Sequence, residues 1–252
     1  MIRINSQLIS LFVGVLLLLS SCNSGRFELR HSDVSYHLID SLVGYNEAMD
    51  AVIKPYRDSL NQEMQKVIGH SQQELSGGLP EGLLSNFVTD LMLVETGLLN
   101  PSIKVDISIV NIKGLRVPVN KGPITVESIY QLMPFENEVV YLTLTHQQVK
   151  ELFDFMASVG GDGMSGASFA IKNKKAVDIK VGGQALEERN YIIATSDYLA
   201  DGGDHFNVFL SAIKREEAGI KVRDAILQHI ERLTAKNKLV NSQLDKRIYY
   251  AE

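Results

Sequence analysis

One cysteine and no tryptophan occur among the 252 residues. A lone cysteine excludes an intrachain disulfide and any Cys-based zinc site. A basic excess is missing too: 25 Lys and Arg stand against 30 Asp and Glu, a net charge of −5. That argues against phosphate-backbone binding as the main task, because nucleic-acid binders carry surplus positive surface. There is no internal repeat and no long linker after residue 78. The composition is that of an ordinary globular protein, 45% hydrophobic and 22% charged. The length suits one large domain or two small ones.

One long apolar run is present, Leu8–Leu19, interrupted only by Ser10 and Gly14, and Arg3 is the only charge in the first 21 residues. Twelve residues span about 18 Å as a helix, short of the ~30 Å hydrocarbon core, so the run reads as a signal sequence. It ends in Leu19-Ser20-Ser21-Cys22, and the only cysteine of the chain sits where a bacterial lipobox needs it. The expectation is a signal peptide over 1–21, lipidation of Cys22, and a polar tether over 22–33. Acyl chains, each CH₂ contributing ~0.8 kcal/mol in a bilayer, would hold the protein on a membrane face. Asn23 after the cysteine favours the outer membrane, facing the periplasm.

Apolar positions three or four apart, from Val34 to Val67, predict a helical extension over 34–68, broken or kinked at Pro55. A polar break at His70–Gly78 follows, then a second helix over Leu79–Leu99. Strands are expected at Val105–Val110, Val139–Leu144, Ser168–Ile171, Ala176–Val181 and Tyr191–Thr195. Thr145 should cap a helix from His146 to Val159, and Ile220–Leu233 should form a terminal helix with Ile226, Ile230 and Leu233 on one face. Strands and helices interleave without a steady βαβ rhythm, which indicates a mixed α/β (α+β) fold over 69–252.

Several chemical motifs fail on context. Gly161-Asp162-Gly163-Met164-Ser165-Gly166 has dinucleotide-loop spacing, but it follows a helix and precedes a strand, the wrong order for pyrophosphate binding. Ser165 lacks the strand-turn-helix of a nucleophile elbow. The six histidines show no metal-ligand spacing and read as scattered surface residues. More specific is Tyr198-Leu199-Ala200-Asp201-Gly202-Gly203-Asp204-His205-Phe206. Its double glycine permits a tight turn that either aims Asp204 into a site or lets it cap neighbouring N–H groups.

Four segments together resemble the C-terminal domain of the 5'-nucleotidase family, in its order and at roughly its spacing. They are Leu83–Met92, Ile109–Arg116 (Ile-Val-Asn-Ile-Lys-Gly-Leu-Arg), Leu132–Val140 (Leu-Met-Pro-Phe-Glu-Asn-Glu-Val-Val) and Tyr191–Phe206. The resemblance covers about residues 66–250 and implies helices packed on mixed β-sheets, with the 34–68 segment as an addition. It also implies nucleoside recognition: Phe135 and Tyr198 sandwiching the base, Asp204 at the ribose hydroxyls, Asn111 and Asn137 at polar edges, Arg116 towards the phosphate, and Gly166 lining the base pocket. Two glycines of the family's Asn-Gly-Gly-Gly-Ile-Arg are Ile112 and Lys113 here, and upstream of Asn86, where members often carry a second arginine, this chain has Gly77-Gly78-Leu79-Pro80-Glu81, so that Lys113 would be a partial substitute as a cation.

In that family a separate metallophosphoesterase domain performs hydrolysis. The resemblance therefore implies no catalytic residue, cofactor or metal ligand in this chain, and a separately encoded metallophosphoesterase partner that brings divalent metals. The alternatives are a non-catalytic nucleoside-binding lipoprotein for uptake or sensing, and a scaffold whose pocket has decayed.

Overall fold

A computed structural model describes residues 31–36 and 44–251. The expected signal segment, Cys22 and most of the tether lie outside the described residues. The chain divides into two units, residues 1–50 and 51–252. In the first, residues 31–36 are irregular and exposed.

Helix α1, Glu47–Met64, begins in that first unit and runs uninterrupted through Pro55, where the sequence predicts a break or kink. It buries no residue, and Met49, Val52, Ile53, Tyr56 and Leu60 stay exposed. The helical reading also ends too late: Val67–Ser71 is strand β1, paired antiparallel with β3, Gly122–Thr125.

The second unit is built on a five-stranded sheet ordered β10-β4-β9-β2-β5. Its strands are β2 (Ile107–Val110), β4 (Glu138–Leu144), β5 (Gly163–Ser165), β9 (Tyr191–Ser196) and β10 (Lys214–Lys221). Side chains alternate across a strand, and both faces of this sheet are covered, so β4 is apolar almost throughout. Val139 and Tyr141 join one core with Phe87, Val88, Leu91 and Met92 of α2 (Leu83–Leu99) and Ile226 and Ile230 of α6 (Val222–Ala235). Val140, Leu142 and Leu144 join the other, with Val149, Leu152, Phe153 and Met156 of α4 (His146–Ser158).

A second sheet, β11-β6-β7-β8, adds Phe169, Ile171, Val181 and Ile248 to that second core. It comprises β6 (Ala167–Lys172), β7 (Lys175–Val181), β8 (Gln184–Ala185) and β11 (Ile248–Tyr250). Two short helices complete the order, α3 (Val126–Leu132) and α5 (Asp197–Ala200). The fold is the mixed α/β arrangement that the order of elements predicts.

Local signals explain the helix starts. Thr145 accepts from the Gln148 amide at 3.2 Å while Gln148 accepts from the Thr145 amide at 2.8 Å, a reciprocal cap. Thr125 and Ser128 repeat it at α3. Among the described residues His229 of α6 is half-buried, 2.8 Å from Glu95 of α2 and edge-on to Phe87.

Phe153 is fully buried and stacks on Phe169 at 5.4 Å, joining α4 to the second sheet. Phe153→Ala should therefore lose about 3–5 kcal/mol of stability. The check is the urea midpoint; a loss under about 1 kcal/mol would mean the second sheet packs independently of α4.

Candidate functional site

Sheet topology brings distant loops together. β2 and β9 are parallel, with Ile107 opposite Ile193, so both leave the sheet at the same edge, through Asn111 and Asp197. The antiparallel neighbours contribute their other ends there. β4 starts at this edge, Val139 facing Ser196; β5 starts there, Gly163 facing Val110; β10 ends there, Lys221 facing Glu138. A cleft of about 780 Å³ opens at this edge. The carboxyl ends of parallel strands are where open α/β sheets place ligands.

Asn111, Arg116, Phe135, Asn137, Tyr198 and Asp204 all line the cleft. Phe135 and Tyr198 are 40% and 44% exposed, so each presents ring surface to it. The turn after α5 explains how Asp204 is presented. Gly202 is left-handed at φ +83°, and Asp204 follows at +48°, a conformation Asp tolerates better than most residues. Its carboxylate accepts from the Asn111 amide at 2.7 Å and the Tyr198 hydroxyl at 3.0 Å. Gly203 lies under the tyrosine ring: a Cβ there would stand 2.5 Å from Tyr198 Cζ. Asn137 directs its amide to Asp197 at 2.9 Å.

Gly166 does not line the cleft. It follows β5, which runs away from this edge for three residues, roughly 10 Å. It borders a separate depression with Asp90, Gly182 and Arg247. A side chain there would overlap the Asp106 carbonyl, so backbone packing accounts for the glycine. The glycine on the cleft wall is Gly114. Ser165, the serine of the run, donates to Asp90 at 2.5 Å.

Three groups that the sequence reading did not single out stand at the same edge. Asp162, inside the glycine-rich run, accepts from the Ile112 amide at 2.6 Å and the Gly163 amide at 2.9 Å, fixing the loop that carries Asn111. Burial is the main reason its pKa is pushed up to about 6; the two N–H bonds oppose the shift, Asp204 adds to it, and Lys113 opposes it. Glu136 also lines the cleft, and hydrogen bonds from Lys221 and then Arg223 hold its carboxyl down at about 2. Arg223 lies behind the Phe135 loop. Nothing in local sequence marks these groups, because strand pairing supplies their neighbours.

Lys113 and Arg116 both line the cleft and are exposed, and among the described residues neither has a carboxylate partner. Among the described residues no group of three or more His, Cys, Asp or Glu is arranged to hold a metal ion. The cleft thus offers aromatic faces, acceptors and two cations.

The chain belongs to the 5'-nucleotidase, C-terminal domain family, whose match spans residues 67–211. It is similar to the trifunctional nucleotide phosphoesterase protein YfkN of Bacillus subtilis, 24% identical over 227 residues, covering 81% of this chain and 15% of that protein. It is also similar to a 5'-nucleotidase of Vibrio parahaemolyticus, 25% identical, covering 64% and 30% of the two chains. The crystal structure of a 5'-nucleotidase precursor from Thermus thermophilus superposes with a TM-score of 0.69 at 26% identity, over 81% of this chain and 43% of that one. The chain spans less than half the length of each.

Two outcomes follow from this geometry. Gly203→Ala should displace the Tyr198 ring and lower stability by about 1–3 kcal/mol. NMR shifts of that ring would read the displacement, and an unmoved ring would show that the backbone absorbs the methyl group. Asp162 has a folded pKa above its unfolded value, so its contribution to stability is greatest below about pH 4 and is lost as pH rises through about 6. Asp162→Asn can keep both N–H bonds through Oδ1. Its stability relative to the parent should rise by on the order of 3 kcal/mol between about pH 4 and about pH 7. Urea titrations of both proteins across that range are the check; a flat difference would exclude a raised pKa.

Proposed function

We propose that the cleft binds the nucleoside part of a nucleotide. The base stacks on Phe135 and Tyr198, the ribose hydroxyls donate to Asp204, Asn111 and Asn137 meet polar edges, and Arg116 with Lys113 faces the phosphate. The observation that carries this reading is the convergence on one cleft of two half-exposed rings, an oriented carboxylate and two cations that have no carboxylate partner among the described residues. Family membership supports it. An aromatic face contributes ~1–3 kcal/mol per stacked base, and an arginine can grip phosphate through paired charge-assisted bonds.

Hydrolysis, in this reading, belongs to a separately encoded metallophosphoesterase chain that supplies divalent metals, and this chain contributes recognition to nucleotide catabolism. Cys22 carries the lipid that holds it at the bacterial cell envelope, at the outer membrane facing the periplasm. Among the described residues no helix is long and apolar enough to cross a membrane.

Calorimetric titration with adenosine and AMP tests the site. Saturable binding should weaken roughly 10- to 100-fold in Phe135→Ala and in Tyr198→Ala. Binding without hydrolysis until a metallophosphoesterase chain is added would support the divided enzyme; binding that no such chain converts to turnover would favour a capture lipoprotein. Absence of heat with either ligand would overturn nucleoside recognition by this chain.

A further inference from the structure

Arg223 occupies a position that helix stability does not explain. It is the second residue of α6, where the helix dipole disfavours a cation, and it is 5% exposed although arginine is seldom buried. Its Nε has no hydrogen-bond partner among the described residues. The other guanidinium nitrogens all turn to one loop, Met133 to Asn137, between α3 and β4. Nη1 donates to the Phe135 carbonyl at 3.2 Å and reaches the Met133 carbonyl at 3.4 Å, and Nη2 donates to Glu136. The guanidinium also lies 4.1 Å from the centre of the Tyr130 ring, on the helix that leads into the loop. Next to it, the Val222 amide, which as the first N–H of α6 has no partner within the helix, donates to the Asn137 carbonyl at 2.9 Å.

We infer that Arg223 is a positioning residue for base recognition: it clamps the Met133–Asn137 loop so that the Phe135 ring stands in the cleft, without itself touching the ligand. The inference rests on the nucleoside reading of the cleft. It follows that the arginine is kept for the geometry of the ring and not for the stability of the helix. Removing one partner of a buried ion pair is costly when the other is left buried and unpaired, but Glu136 is exposed and retains Lys221 as a partner, so its charge stays solvated and compensated. Stability and recognition should therefore separate.

The variants are Arg223→Met and, as the conservative change, Arg223→Lys, each made in the full chain. Arg223→Met should unfold at nearly the temperature of the parent protein. Its Val222 amide, observed in the ligand-free protein, should exchange with solvent at least tenfold faster as the loop detaches. AMP affinity should fall at least tenfold, while affinity for ribose 5-phosphate, which has no base to stack, stays within twofold. Arg223→Lys should fall between the two proteins. In a Phe135→Ala background, Arg223→Met should add less than a twofold further loss of AMP affinity, since both changes remove one stacking face. Unchanged exchange at Val222, an equal loss for ribose 5-phosphate, or fully additive losses in the double variant would overturn the inference. If the parent protein bound no AMP, the nucleoside reading would fall, and the exchange rate would still decide whether Arg223 holds the loop.

Discussion

The parallel pairing of β2 with β9 is the constraint on which the rest depends. Two parallel neighbours must leave a sheet at the same edge, so the chain departs after Val110 and after Ser196 into one region of space. Antiparallel β4, β5 and β10 then bring their own termini there. Burial of both faces locks the pairing. A one-residue slip of β9 would exchange Ile193 and Ala194 between the two cores and send every following side chain to the opposite face. Packing far from the cleft thus fixes where Tyr198 stands.

Charge in the cleft follows a simple division. Each carboxylate on its lining is already answered, Asp204 by an amide and a hydroxyl and Glu136 by two cations, and Asp162 at the same edge is held by backbone N–H groups. The cations Lys113 and Arg116 are not answered by a carboxylate among the described residues. Positive charge without an ion pair among the described residues is thereby left on the cleft wall.

Much of this was legible in the sequence, and the failures have physical reasons. The apolar run of β4 and the caps at Thr145 are local signals, and they placed their elements within a residue. Strand β10, Lys-Arg-Glu-Glu-Ala-Gly-Ile-Lys, carries almost no apolar alternation, because it is an edge strand defined by its pairing with β4. Val67–Ser71 continued a helical spacing, and a partner far along the chain, Gly122–Thr125, made it a strand. Six cleft residues came from motif resemblance, and Gly166 lies elsewhere because resemblance does not reveal which end of a three-residue strand faces the cleft. Asp162 and Arg223 escaped notice because an isolated aspartate in a loop and an arginine on a helix have no distinguishing local pattern.

Tyr198 is held at both ends, its ring seated over Gly203 and its hydroxyl bonded to Asp204. The conformational entropy of this side chain is surrendered when the protein folds and not when a ligand arrives, a difference of ~0.5–1.5 kcal/mol for a side chain immobilised on association. The same bond couples the wall of the cleft to its acceptor, so anything that draws Asp204 aside also releases the ring. The two contacts form one mechanical element, in which the ring and the carboxylate move together.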